Sequence, residues 1–404
     1  MRPFHEEKKL SMQVLEDSNS VRCYSGNCLQ INKKKYVIVV TILIIPLLVA
    51  FNRLNLNINK IILSKEQQPQ VDELLNNSAT RCLGTYLIDL PKQFKASKAN
   101  WFEYDYYQSI YISTDQQSLP LFKQMLARRE QELKNTQPVD PIDGNFLKAI
   151  YPLSVSNSNE IQGVIFERME SEGIPDFARI LESYHWQDEV TFKIEMDATN
   201  GSASRYDEDR KKYPEIYNND VPEKIAQMRT LFKRMRVRDD FTIPEEPGFC
   251  FINGFMQGDD DKLKEIQFTY RYEDREDFYF RIKFTNYAGS ESLFDIPDNF
   301  IIQGEGQKIY QGTRESNNLH LEEIIVKNND FLDSNDNGLK KERYIFNLGI
   351  NMEEPDNKNP NLEIRMYYII PPDSRKAYSL DQLMVIWREI TNSIRIRENS
   401  FANE

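Results

Sequence analysis

The sequence predicts an α+β protein with two domains of mainly antiparallel sheet packed by helices, preceded by one transmembrane helix. Three observations carry this. Apolar and polar residues alternate strictly in segment after segment, the period of strands with one wet face. Between them lie a few segments with proline or capping residues at the start and a 3.6-residue apolar period. One uncharged apolar run, Tyr36 to Phe51, stands apart near the amino terminus, directly after Lys33, Lys34 and Lys35.

Residues 1–35 mix charges with Ser and Asn and show no apolar period, the composition of a cytoplasmic tail. At about 1.5 Å per residue, Tyr36 to Phe51 spans roughly 24 Å, and Asn52 to Leu56 extend it by snorkelling. The lysines before it keep the amino end in the cytoplasm. No small-x-small site follows, so residues 36–53 read as an uncleaved anchor that crosses a membrane once, with everything after it exported. A cleaved signal peptide or a buried core helix are the alternatives. Residues 54–80, rich in Asn, Gln, Ser and Lys, suit a spacer, with folding expected to begin near Arg81.

The chain has 404 residues and a formal charge of −12. The tail carries +3, which leaves −15 for the exported part and argues against nucleic acid as a partner. About 325 residues beyond the spacer exceed what one core organises. We place the domains at 81–240 and 244–404, divided at the acid- and proline-containing stretch Asp239 to Pro247.

In the first domain, Phe102, Tyr104, Tyr106, Ile110 and Ile112 fall on one face of an extended stretch, and Val190, Phe192, Ile194 and Met196 on one face of another. Ser118, Leu119 and Pro120 open a helix lined by Phe122, Met125, Leu126 and Leu133. A second helix follows Pro222, with Ile225, Met228, Phe232 and Met235 inward and Lys233, Arg234 and Arg236 toward solvent. In the second domain, Ile266 to Tyr272 and Phe278 to Phe284 alternate around a turn at Glu273 to Asp277, a hairpin that buries an aromatic face beneath a helix. Tyr344 to Ile350 and Leu362 to Ile370 form further strands. Ser379 and Gln382 make a capping box for a last helix lined by Leu383, Trp387, Ile390 and Ile394.

Catalytic signatures are lacking. No G-x-S-x-G, phosphate loop or H-E-x-x-H occurs, and His5, His185 and His320 are isolated from one another. His185 reads as a polar residue at a strand entrance. Gly304, Glu305 and Gly306 lack the third glycine of a dinucleotide loop. Asp333 to Gly338 opens like a calcium loop, but its twelfth position is Tyr344 where the closing Glu belongs, so it reads as a polar turn. Asp259 to Asp261 and Glu273 to Asp277 read as solvated turns or a docking surface for a cationic partner. We expect no catalytic residue, cofactor, metal or small-molecule substrate.

Cys82 and Cys250 are the two cysteines on the exported side, where an oxidising compartment favours their pairing; two buried thiols are the alternative. Cys23 and Cys28 in the tail read as free thiols.

Two segments carry a resemblance beyond composition. RCLGTYLIDLP (Arg81 to Pro91) and PGFCFINGFM (Pro247 to Met256) resemble the opening strands of the two domains of the Tle cognate immunity protein 4 family, inhibitors of lipase effectors delivered by type VI secretion. The specific signal lies in Cys82, Gly84, Tyr86, Asp89, Leu90 and Pro91, and in Gly248, Phe249 and Cys250. The resemblance implies a periplasmic, non-enzymatic binder whose two domains grip a phospholipase and block its active site or hold its lid, which makes the anchored membrane a bacterial inner membrane; our own expectation is that affinity rests on avidity between the linked domains. The anchor and tail depart from that pattern. A membrane-anchored envelope scaffold or receptor is the alternative function, and an envelope hydrolase is a third class.

Overall fold

The computed structural model describes residues 61–98, 100–153, 163–258, 260–273, 275–289, 292–302, 306–332, 340–371 and 377–401. The run Tyr36 to Phe51, the tail cysteines, Gly304, Glu305 and the Asp333 to Gly338 turn lie outside them. Among the described residues no helix is long and apolar enough to cross a membrane.

The amino-terminal half runs α1 (Gln68–Leu75), β1 (Ser78–Leu83), β2 (Tyr86–Pro91), β3 (Phe94–Ala96), β4 (Trp101–Asp105), β5 (Ile110–Gln116), α2 (Leu119–Asn135), β6 (Leu147–Leu153), β7 (Gly163–Met169), β8 (Ala178–Gln187), β9 (Val190–Thr199), α3 (Asp207–Lys212), α4 (Val221–Arg234) and β10 (Met235–Val237). The carboxy-terminal half continues with β11 (Gly248–Phe251), β12 (Gly254–Gln257), β13 (Glu265–Tyr272), β14 (Phe278–Thr285), α5 (Asp298–Ile301), β15 (Gln307–Ser316), β16 (Leu319–Leu332), β17 (Lys340–Ile350), β18 (Asn361–Ile369), α6 (Leu380–Asn392) and β19 (Arg395–Ile396).

These strands build one large antiparallel sheet and two small ones. The large sheet has the order β15-β16-β17-β18-β14-β13-β4-β5-β9-β8-β7-β6, with β3 also on β13. It passes from one half to the other where Ile266 of β13 pairs with Phe102 of β4. The small sheets are β1-β2-β19 and β10-β12-β11. Every sheet therefore contains strands from both halves, and the halves share hydrogen-bonded backbone as well as packed side chains.

Alternation decides which face each helix covers. In β8, Tyr184 and His185 point to opposite faces. Tyr184 joins Phe166 and Met169 beneath α2, which contributes Phe122 and Leu133. His185 is buried on the other face, its ring 5.5 Å from Phe232 of α4, so it is a mid-strand core residue and not one at a strand entrance. In the carboxy-terminal half Trp387 of α6 stacks on Phe280, with ring centroids 6.3 Å apart. The capping box at Ser379 and Gln382 forms as its residues require.

Three expectations are corrected. The stretch Phe102 to Ile112 is a hairpin, because Ser109 adopts a left-handed φ of 49° and Asp105 accepts a hydrogen bond from the Tyr107 amide, turning the chain and leaving Tyr106 half exposed. Folding begins before Arg81. Within the expected spacer, α1 buries Val71 and Leu74, and Gln67 donates to the Ser379 hydroxyl at 3.0 Å, docking α1 beside α6. Third, α4 ends at Arg234; Met235 is buried at the start of β10, which pairs with β12.

Candidate functional site

Where β4 leaves β13 the large sheet splits, and a cleft of about 790 Å³ opens between the halves. One wall comes from the turn and connection around β3, with Lys92, Lys95, Lys98 and Trp101. The end of β5 adds Asp115. The facing wall comes from the opening of the second half, with Asp239, Phe241 and Asn253. Trp101 and Phe241 stand at the rim with 38% and 48% of their surface exposed, large aromatic side chains of the kind that anchor protein interfaces. Lys98 and Asp115 lie 3.4 Å apart but are both open to water, so their pairing contributes little to stability.

The floor is rigid for an electrostatic reason. Arg81, fully buried, donates to Asp240 at 2.6 Å and to the carbonyls of Leu90 and Phe94 at 2.7 and 2.8 Å. Its guanidinium lies between the rings of Phe241 and Tyr270, 5.1 and 5.2 Å from their centroids. Tyr270 in turn donates to Asp240 at 2.7 Å, and its burial, with that carboxylate beside it, pushes its hydroxyl well above the usual range. Two more buried arginines hold the stretch between the halves. Arg238 donates to the carbonyls of Phe251 and Thr242, both at 3.1 Å, and Arg397 to those of Pro244 and Glu246, both at 2.9 Å. Burial, aided by the charge of Arg238, lowers Arg397 to about 10. Asp239 to Pro247 is thus a clamped segment and not a loose hinge.

A second junction lies behind the cleft. Arg234, expected on the solvent face of its helix, instead donates to Tyr104 at 3.0 Å and to Asp260 at 2.7 Å. Asp260, expected in a solvated turn, is the carboxylate at the centre of that junction. Its burial raises its pKa, but the charge of Lys264 and hydrogen bonds from Lys264, Tyr104 and Arg234 outweigh this and bring it to about 2. Glu182 behaves alike: burial raises it, and hydrogen bonds from Arg129 and Tyr184 with the charges of Arg129 and Lys193 bring it to about 2. Both folded values lie below the unfolded ones of about 4. The folded protein therefore binds fewer protons, and each carboxylate's contribution is complete above about pH 5 and lost as pH falls through about 2. We expect the denaturant midpoint to drop between about pH 6 and pH 2.5, with each group accounting for roughly 2–3 kcal/mol. Asp260→Asn should flatten that slope, and an unchanged slope would refute the assignment.

The family-like residues converge on the seam beside the cleft. Cys82 and Cys250 are disulfide-bonded and fully buried, with Cα atoms 5.7 Å apart. Gly84 and Cys250 exchange two backbone hydrogen bonds of 2.9 Å. Gly84 has φ +63°, and a Cβ there would lie 3.0 Å from the Phe284 ring, so both backbone and space call for glycine. A Cβ on Gly248 would meet the Met256 carbonyl oxygen at 2.3 Å. Tyr86 donates to the Pro360 carbonyl at 3.1 Å, and Phe249 stacks on Phe102 at 5.2 Å. Asp89 accepts from Thr80 at 2.6 Å and faces Arg395 at 3.4 Å; the carbonyls of Leu90 and Pro91 accept from Arg81. These residues join the halves and stand beside the cleft without forming a reactive group. Sequence reading missed Arg81, Arg238 and Arg397, since a buried arginine looks like any surface one until its carbonyl partners are known. Among the described residues no three metal-ligating side chains come together, and His320 is exposed beside Glu315.

Two interleaved halves sharing one cleft define a two-lobed, mainly antiparallel β protein with a recess lined by both lobes. Residues 79–238 match the Tle cognate immunity protein 4 N-terminal domain and residues 242–399 the corresponding C-terminal domain. The chain belongs to the Tle cognate immunity protein 4 family, whose members are inhibitors and not enzymes. The fold is similar to the apo structure of the immunity protein TplEi of the type VI secretion system from Pseudomonas aeruginosa. That likeness has a TM-score of 0.58 at 20% identity, covering 81% of this chain and 98% of that one. A Tle4–Tli4 complex gives 0.58 at 19% identity, with 81% and 99% covered. TplEi bound to an "L" peptide gives 0.54 at 17%, with 80% and 99% covered. No curated protein matches the chain.

Proposed function

We propose that this chain is a membrane-anchored periplasmic immunity protein that binds a phospholipase effector of type VI secretion in the cleft between its halves and blocks its action there. The observation that carries the reading is the cleft itself, lined by both family domains and rimmed by Trp101 and Phe241, in a family one of whose relatives has been solved as a Tle4–Tli4 complex. Because each sheet holds strands from both halves, the grip comes from pre-organisation of one body, where avidity between tethered domains had been expected. The rim aromatics supply desolvated anchors, while the lysines of one wall take up carboxylates of the effector.

The test is the double substitution Trp101→Glu with Phe241→Glu. Both side chains are half exposed, so folding should survive, while affinity for a type VI secretion lipase effector against which the parent chain protects should fall by at least about a hundredfold and cells should lose protection against it. Affinity within a few-fold of the parent would remove the cleft from the interface.

The periplasmic placement draws support from the buried disulfide, which persists in oxidising compartments, and from the lysine-flanked run Tyr36 to Phe51. Alkaline phosphatase fused after Glu404 should be active. A stable but inactive fusion would reverse the topology.

A further inference from the structure

The carboxy-terminal half carries a second recess, of about 360 Å³, between the outer face of β14, β18 and β17 and the covering segment that includes α5. Its floor is cationic. Arg281 of β14 and Arg365 of β18 occupy directly paired positions on neighbouring strands, like charges facing one another, of which Arg365 is offset by Glu363 while, among the described residues, Arg281 is not. Arg343 of β17 adds a third guanidinium that is 9% exposed, and burial lowers its pKa. One wall is the stacked pair Tyr279 and Tyr367, with centroids 4.6 Å apart and planes within 15°.

The carboxylates around this face are already engaged. Glu363 pairs with Arg365, Glu265 with Lys283 at 2.8 Å, and Glu276 with Arg271 at 3.4 Å. Glu322 accepts from the Leu293 amide at 2.7 Å, which fastens the covering segment to the sheet. Arg281 has no ion-pair partner among the described residues, and its guanidinium lies over the Tyr367 ring at 5.8 Å.

We propose that this recess takes a carboxylate side chain from an acidic segment of the effector, held by the Arg281 and Arg365 guanidiniums and flanked by the stacked tyrosines. Guanidinium forks match carboxylate geometry in pairs. Phe300, 75% exposed on α5 at the rim, offers an apolar contact for the residues beside that carboxylate. An anionic lipid headgroup would present similar chemistry, but a chain of net charge −12 is repelled by an anionic leaflet, whereas a single carboxylate on a docked protein is drawn into a local basic pocket. The proposal rests on the immunity reading for the identity of the partner, though not for the existence of the anion site.

The experiment places the full chain in phosphatidylcholine nanodiscs and follows arginine Nε–H signals by NMR. Millimolar acetyl-tetraglutamate amide should move the signals of Arg281 and Arg365 saturably, and acetyl-tetralysine amide should leave them in place. Arg281→Glu should weaken binding of a lipase effector that the parent chain binds by about thirtyfold with an unchanged unfolding curve, and Arg281→Gln by less. Unmoved signals, or equal shifts at every surface arginine, overturn the proposal. So does a response to phosphatidylglycerol in the discs that tetraglutamate fails to reproduce, which would make the recess a lipid site. If tetraglutamate binds and the parent chain ignores the lipase, the immunity reading fails and the anion recess stands. If the lipase binds parent and Arg281→Glu equally, the recess is not part of the interface and the immunity reading stands.

Discussion

Replacing Cys82 and Cys250 by serine should lower the unfolding free energy by about 5 kcal/mol, because the bridge closes a loop with a sequence separation of 168 and the chain-entropy cost of opening it grows with the logarithm of that length. The site sharpens the expectation. Both sulfurs are fully buried, packed with Phe255, Leu87 and Ile243 where β1 meets β11, so serine hydroxyls would also be left in an apolar setting. Denaturant unfolding of the oxidised parent, the reduced parent and the double variant separates the two contributions. The reduced parent isolates the loop term, and the variant adds the desolvation term. A loss below about 1 kcal/mol in both would mean that the shared sheets, and not the bridge, hold the halves together.

Arg81→Met should cost roughly 3–5 kcal/mol, the penalty of breaking a buried ion pair while leaving its partners in place. The substitution keeps much of the apolar stem but strands the Leu90 and Phe94 carbonyls and leaves Asp240 facing only Tyr270. Asp240 is 23% exposed and can recruit water, so Asp240→Asn should cost less than Arg81→Met. Equal costs would show that the salt bridge dominates over the carbonyl contacts. Since Arg81 forms the floor of the cleft, its loss should also weaken effector binding by disordering Phe241, which stacks on it. Calorimetric unfolding measures the first effect, and binding at a temperature where the variant is still folded measures the second.

Expressing residues up to 240 alone is a poor test of a single-domain plug. Truncation there strips β4 and β3 of β13, β10 of β12 and β2 of β19, leaving open strand edges that invite aggregation. Failure of such a fragment would report on folding. Point substitutions in the cleft are the discriminating experiment.

Much of the local structure was legible in the residues themselves. The strict alternation in β9, β13, β14, β17 and β18 appears as strands with the expected inward faces, because a pleated backbone sends neighbouring side chains to opposite sides whatever lies around it. The cap at Ser379 and the stripe Leu383, Trp387 and Ile390 were equally readable, since both depend on residues within a few positions of each other. The bridge between Cys82 and Cys250 followed from counting the cysteines that come after the apolar run Tyr36 to Phe51. Other features were set only by distant partners. The helix α1 has only 8 residues, and its buried pair Val71 and Leu74, one turn apart, is too short a stripe to stand out from spacer until it docks on α6. The hairpin at Tyr106 to Ser109 preserves an alternating pattern on both sides of a turn, and the turn depends on one left-handed residue that carries no glycine signal. Asp239 to Pro247 reads along the chain as a boundary, yet three arginines bind it into the core. The same guanidinium that a surface would leave in water is here surrounded by carbonyls from segments about 10 to 150 residues away. Periodicity is a property of the local backbone and can be read along the chain, whereas the pairing of β4 with β13 and the burial of Arg81 depend on which distant segments arrive together, and only the folded chain decides that.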